Sequence, residues 1–325
     1  MQESSKYPFR LSPNPPGCRH LSELRMRDPF IFPDRNRNLY FLYGTGMGFA
    51  DGAANIDPYF DFYVSEDLKL FYGPFLAFEP PKGFWGVKNY WAPEVHLYRG
   101  RYYMFASFKG GIGCDRGTAV LAADAPEGPF VPLSNSHMTL PGHECLDGTL
   151  YVEDGQPYIV FCHEWTELYY GKILALPLKD DLSGLKDLRP ITIVDTEKDS
   201  LPWIRLMRDD RVSKTGLLTD APYLHRLPGG KLLMTWSSYA APSAGGEAGY
   251  VIAGVISDSG KIAGPWRHLE KPILDHDAGH SALFYDLEGN LRLVSHAHDR
   301  NHGGETPVIL SVREHEEGIE IIWNK

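Results

Sequence analysis

Three aspartates (Asp28, Asp147, Asp220) and a histidine (His280) each stand at the head of a β-rich run in this 325-residue chain. They are too far apart to share one strand or helix, so they can act together only if the fold gathers the heads of separate strands. Carboxylates gathered in this way suit glycoside hydrolysis. One carboxylic acid protonates the leaving oxygen, and a second carboxylate activates water or attacks directly. Like charges crowded into a partly dry site also shift one another's pKa, which costs stability unless a substrate or metal uses the cluster. Each residue taken singly has a plainer reading. Asp28 precedes Pro29 and could be a local cap, Asp147 and Asp220 could be turn residues, and a lone strand-end histidine is more often a structural hydrogen-bonding group. Glu144, Glu94 and Glu164 lie near the same heads and are reserve acids. Trp91, Phe108, Trp165 and Trp236 are candidate stacking platforms for a sugar face, with burial in the core as the alternative for each. His163 and Arg292 are candidate polar contacts to substrate.

The elements that must position these residues are hairpins. In residues 143–164, two apolar β-rich runs flank Asp154-Gly155, a dipeptide suited to a tight turn whose central positions want positive φ. Similar units occupy residues 25–45, 91–108 (turning at Arg99-Gly100), 219–238 (Gly229-Gly230) and 279–298 (Glu288-Gly289-Asn290). Aligned on their turns, the units place Asp28, Ala92, Asp147, Asp220 and His280 in one column, at intervals of about 55–75 residues. A second pair of strand-like runs follows each hairpin, and Gly-Pro-(Phe/Trp) recurs at Gly73, Gly128 and Gly264. Four strands in each of five units predict an all-β, five-bladed β-propeller over residues 21–325, with residues 1–20 as a lead-in segment. A β-sandwich would explain the strands but not five matching polar heads. In a propeller the innermost strands run along the axis, so their first residues converge at one mouth.

Composition agrees and narrows the partners. Gly (33) and Pro (25) are abundant and few stretches have helical period, which favours an all-β chain rich in turns. The net charge of −10 and the lack of a Lys/Arg run argue against nucleic acid as a partner. No apolar run approaches membrane-spanning length, so no membrane partner is expected. The N-terminal residues lack a secretory pattern, which leaves a cytoplasmic location or an export signal absent from the sequence. Cys18, Cys114, Cys145 and Cys162 have no CxxC spacing, and free thiols are expected, with a bridge between Cys145 and Cys162 as the alternative.

Together these pieces resemble glycoside hydrolase family 43. The similarity rests on Arg27-Asp28-Pro29, Trp91-Ala92-Pro93-Glu94, Leu146-Asp147-Gly148, Asp220-Ala221-Pro222 with Trp236-Ser237-Ser238, and Gly279-His280-Ser281. Family 32 shares Arg-Asp-Pro and Glu-Cys pieces (here Glu144-Cys145), but this chain has no Trp-Met-Asn-Asp-like motif near its start. The resemblance implies an inverting propeller glycosidase in which Asp28 is the general base and Asp147 orients the acid and keeps its pKa raised. Asp220 would be the acid, standing where the family usually carries a glutamate, one methylene longer. His280 would lie near the axis and help hold a calcium ion or its waters, with no other cofactor required. The expected substrate is an oligosaccharide of plant-polysaccharide origin losing a terminal α-L-arabinofuranose. β-D-Xylosidase and β-galactosidase activities are the alternatives within the class. Two further readings are a glycan-binding propeller without turnover and a protein-interaction propeller, and the acidic heads argue against the second.

Overall fold

Two of the expected turns, Arg99-Gly100 and Asp154-Gly155, have both residues at positive φ (49° and 80°; 50° and 84°). They join strands paired in register from Tyr98↔Arg101 and Glu153↔Gln156 outward, the geometry that suits the twist of a two-residue hairpin. The computed structural model describes residues 7–46, 58–209, 213–241, 249–275, 277–298 and 304–323. Its hairpins extend into five antiparallel sheets, each made from consecutive chain and arranged as a five-bladed propeller.

Blade 1 holds Met26–Asp34, Leu39–Gly46, Phe60–Ser65 and Leu70–Phe78, and Gly17–His20 adds a fifth strand outside. The lead-in thus becomes part of that blade from residue 17, while Phe9 packs on Phe41, Phe62 and Phe75. Blade 2 runs from Gly86–Tyr98 outward to Val131–Pro132, and blade 3 from Cys145–Glu153 to Ile191–Asp195. Blade 4 runs from Asp220–Arg226 to Trp266–His268, and blade 5 from Ala278–Tyr285 to Gly318–Ile322. The strands alternate little because most are covered on both faces. Gly249–Ser257, for example, is buried along its whole length. Large apolar side chains fill the space between blades, and each such burial contributes about 1.5–3 kcal/mol.

First and last blades meet through side chains. The backbone N–H of Leu287 donates to the Tyr40 hydroxyl at 2.8 Å, and Arg35 Nη2 donates to the Asp286 carbonyl at 3.0 Å. All four cysteines are free, and the register sets Cys145 opposite His163 and Cys162 opposite Leu146, so the two buried thiols do not face each other.

Candidate active site at the propeller mouth

Every innermost strand carries an irregularity in the same place. Pairing with the second strand is interrupted after Arg27, Trp91, Leu146, Asp220 and Gly279 and resumes about three residues later. The residue just after each of these (Asp28, Ala92, Asp147, Ala221, His280) has φ between 46° and 53°. Such a backbone is costly for a residue with a side chain, and bulges of this kind re-aim side chains. Here they turn side chains from the blade toward the axis. The column differs from the sequence alignment in blade 4, where Ala221, not Asp220, occupies the bulge. Asp220 is the preceding residue and pairs with Ser237.

Each bulge turns its backbone N–H toward the preceding blade. Ala92 donates to Thr45 Oγ1 (2.8 Å), Asp147 to Ser107 Oγ (2.8 Å), His280 to Ser237 Oγ (2.8 Å) and Asp28 to His296 Nδ1 (3.0 Å). These acceptors hold equivalent positions, opposite the residue before the bulge. In blade 3 that position is Cys162, and the N–H of Ala221 goes instead to Asp147 Oδ2 at 3.1 Å.

The heads do converge. His280 Nδ1 lies 3.1 Å from Asp28 Oδ1 and 3.8 Å from Asp147 Oδ2. Thr45 Oγ1 donates to Asp28 Oδ2 at 2.6 Å. The Tyr250 hydroxyl donates to Asp220 Oδ2 at 2.9 Å, and its ring stacks on His296 at 5.5 Å and 13°. A Cβ on Gly279 would come within 2.1 Å of the Tyr250 ring, so glycine is what lets that tyrosine approach.

Electrostatics divides the cluster. Burial alone would push Asp28 up, but His280, Arg27 and His296 outweigh it and hold this carboxyl well below the usual carboxylate range. Burial pushes Asp147 up to about 7, opposed by His280 and reinforced by Asp220 and Asp28. Asp220 is also pushed up to about 7, by burial first, then by Glu164, against the Tyr250 hydrogen bond. Asp220 is among the charges that raise Asp147, so ionisation of one carboxyl disfavours that of the other. Burial would lower His280, yet Asp28 and Asp147 raise it to about 9, whereas burial keeps His296 neutral at about 3. A neutral His296 matches its role as acceptor of the Asp28 N–H. One mouth therefore holds a firm carboxylate, a pair of carboxyls that keep a proton toward neutrality, and one imidazolium between them.

The other candidate residues lie in varied surroundings. Trp91, next to the blade 2 bulge, is part-exposed and carries the Arg116 guanidinium 4.8 Å over its ring. Glu164 is buried beside Asp220 and bonded by Arg116 at 2.5 Å, with its own pKa raised by burial. Glu144 pairs with Lys109 on the rim. Glu94, buried near His280, shares a 3.0 Å hydrogen bond with His96. Five of the six expected sugar contacts are buried or engaged elsewhere. Phe108 and Trp236 are completely buried in the core, where rings of Phe84 and Tyr90 cover the first and Trp203 the second. Arg292 lies at the opposite end of blade 5, bonded to the turn residue Asp286. Trp165 is buried in the single-turn helix Trp165–Leu168, above Gly216. His163 is also buried, and its Nε2 meets Glu167. Sequence reasoning did not single out Tyr250, His296 or the bulge acceptors. His296 could have been found as the blade 5 equivalent of Thr45, Ser107 and Ser237, but Tyr250 comes from the third strand of blade 4, where nothing in the hairpin pattern points.

A propeller whose mouth sets a bare carboxylate against a proton-holding carboxyl pair is the architecture of a glycoside hydrolase. The family model for glycosyl hydrolases family 43 matches residues 21–318, and the chain belongs to that family. It is similar to an endo-arabinase from Bacteroides thetaiotaomicron VPI-5482, with 34% identity over 98% of this chain and 99% of that one and a TM-score of 0.79. A thermostable family-43 glycoside hydrolase (20% identity, 99% and 96% covered, TM-score 0.74) shares the fold. So does an endo-1,4-beta-xylanase from B. thetaiotaomicron VPI-5482 (23%, 93% and 95%, 0.70). No curated protein matches the chain.

Proposed function

We propose that the protein hydrolyses α-L-arabinofuranosyl linkages with inversion and cleaves within arabinan chains. The observation that carries the chemistry is the convergence of Asp28, Asp147 and Asp220 around His280 and Tyr250, in surroundings that hold Asp28 low and push Asp220 up. Asp28, held anionic, takes a proton from the attacking water. Asp220 delivers its proton to the leaving oxygen while Tyr250 holds its Oδ2. Asp147, deeper than either, is locked between the Ser107 hydroxyl, the Ala221 N–H and His280, and its ionisation is disfavoured by that of Asp220. Its role is to keep the acid protonated and oriented. After burial, Glu164 is the largest influence raising Asp220, so the protonated acid depends on it as well.

The sugar and the mode of attack are supported by the 34% identical relative, named an endo-arabinase. An open cleft of about 430 Å³ on the rim, lined by Val87, Lys88, the turn at residues 109–115 of blade 2 and Glu144, is where further sugar units would be sought. The exo mode expected from the sequence predicts single arabinose units as the only early product. A calcium ion near the axis could be held by His280 only with the ring deprotonated, which the neighbouring Asp28 and Asp147 oppose by raising it to about 9. Ca²⁺ takes about 6–8 oxygen ligands, so water would supply most of its shell, and no step is derived from it.

The test is hydrolysis of linear arabinan, arabino-oligosaccharides and a panel of 4-nitrophenyl pentosides by wild type and D28N, with the product anomer followed by NMR. Mixed oligosaccharides of inverted configuration, with a rate about 10²–10⁴-fold lower in D28N, are expected. Release of arabinose alone returns the exo reading, and release from a xyloside only replaces the sugar. Binding without turnover in wild type would make the protein a glycan-binding propeller.

A further inference from the structure

Away from the carboxylate cluster, His143, His163 and Glu167 bring two imidazoles and a carboxylate together, with donor atoms within 4.8 Å of one another. His143 Nδ1 lies 3.0 Å from Glu167 Oε1, and His163 Nε2 lies 3.0 Å from Oε2. The two imidazole rings are 4.8 Å apart. Three separate pieces of chain supply the set: the lead-in to the first strand of blade 3, the end of its second strand, and the single-turn helix. Backbone bonds tie those pieces together, with Glu164 N–H donating to the Glu144 carbonyl at 2.8 Å and Glu167 N–H to the Glu164 carbonyl at 3.1 Å. Glu144 N–H also donates to Glu167 Oε2 at 2.8 Å, fixing the carboxylate in the way an outer partner fixes a metal ligand. The His163 side chain is 8% exposed, but those of His143 (44%) and Glu167 (31%) open the cluster to solvent.

We propose that this cluster is a transition-metal site, taking Zn²⁺ or a similar divalent ion with water completing the shell. Two imidazole nitrogens and one carboxylate suit such ions and not Ca²⁺, which prefers oxygen alone. Nitrogen and oxygen 3.0 Å apart can both lie about 2.0–2.2 Å from one ion, and closing the two imidazoles onto it needs only a small turn of the part-exposed His143. Binding requires each ring to present a lone pair where its N–H now faces Glu167. With both rings neutral the proton moves to the opposite ring nitrogen, and no net proton is released. An ion here would clamp the strand that carries Asp147, four residues beyond His143, to the segment carrying Glu164, three before Glu167. The site stands independently of which glycoside, if any, the mouth cleaves.

The test uses the full chain, stripped with a chelator and titrated with ZnCl₂ by calorimetry, and with Co²⁺ by absorption spectroscopy. One equivalent of Zn²⁺ is expected, with affinity at least about tenfold lower in both H143A and E167Q. Bound Co²⁺ should give visible d–d bands without a thiolate charge-transfer band, which separates this site from the exposed Cys18 and Cys114. Metal-free melting of H143A, a part-exposed residue, checks that the fold survives. Absence of stoichiometric binding, or binding unchanged in H143A and E167Q, overturns the assignment.

Discussion

The junction between blades 3 and 4 differs from the other four blade junctions in the group that accepts the bulge N–H, and the Asp147–Asp220 pair sits on that difference. At four junctions a hydroxyl or imidazole on the second strand accepts the N–H of the next blade's bulge, leaving the bulge side chains to other tasks. At the fifth, Cys162 stands where the acceptor would be, and the Asp147 carboxylate accepts the N–H of Ala221. A thiol is a weak acceptor, so the neighbouring carboxylate takes the bond. The consequence is that Asp147 is both scaffold and electrostatic partner of Asp220, whereas Thr45, Ser107 and Ser237 hold bulges without being among the reacting acids. At four junctions the bulge acceptor and the reacting acids are different side chains, and at one they are the same side chain.

The sharpest way to break that double role is to change Asp147 in two ways. D147N keeps an oxygen for the Ala221 N–H but removes the charge, and its rate is expected to fall about 10²-fold or more with melting temperature nearly intact. D147A also leaves a buried N–H unpaired, so it should lose a further ~1–3 kcal/mol of stability in denaturant titrations. Equal stability in the two variants would show that the Ala221 bond contributes nothing and would dissolve the contrast.

At the ordinary junctions the order of effects reverses. S237A removes the acceptor of the buried His280 N–H and is expected to cost ~1–3 kcal/mol of stability, with a smaller loss of rate than D147N. A rate loss as large as that of D147N, in protein of unchanged stability, would mean that His280 placement and not scaffolding dominates there.

The pH profile reads the junction between blades 3 and 4 directly. Asp28 is held well below the carboxylate range and must be ionised, so the acidic limb of kcat/KM should lie below the ordinary carboxylate pKa. The Asp147–Asp220 pair is raised to about 7 and must keep its proton, so activity should fall as pH rises through about 7. In D147N the like charge is gone, which lowers the pKa of Asp220 and should move the alkaline limb of the residual activity to lower pH. An unmoved limb would transfer control of the acid to Glu164.

Much of this was legible in the sequence because hairpin signals are local. Asp154-Gly155 and Arg99-Gly100 declare their turns, and counting back from each turn reaches the heads. The same count failed by one residue in blade 4, since the turn at Gly229-Gly230 does not fix the length of the strand leading to it, and Ala221 took the place expected of Asp220. Stacking platforms were misread for a related reason. Proximity to a head does not give the face a side chain occupies, and in sheets covered on both sides Phe108 and Trp236 point into packing whichever way they turn. Tyr250 was invisible because its approach to Asp220 depends on the missing side chain of Gly279, in another blade. A substitution of Gly279 by alanine would meet that ring and is expected to lower the rate by displacing Tyr250.

The smallest expected effect is the most informative about the design. In C162S the blade 3 position regains the hydroxyl that three of the other junctions carry. If that hydroxyl captures the Ala221 N–H, Asp147 loses a hydrogen bond that favours its charged form, its pKa rises, and the alkaline limb moves to higher pH. The change in stability should stay within about 1 kcal/mol, because one acceptor replaces another for the same buried donor. Rate should drop only a few-fold, since the charge of Asp147 remains and only its anchoring changes. A profile identical to wild type would show that Asp147 holds the Ala221 N–H by its own preference and that the cysteine is a filler of the core. A shifted limb at unchanged stability would show that the thiol matters by what it declines to accept, leaving the N–H for the acid pair.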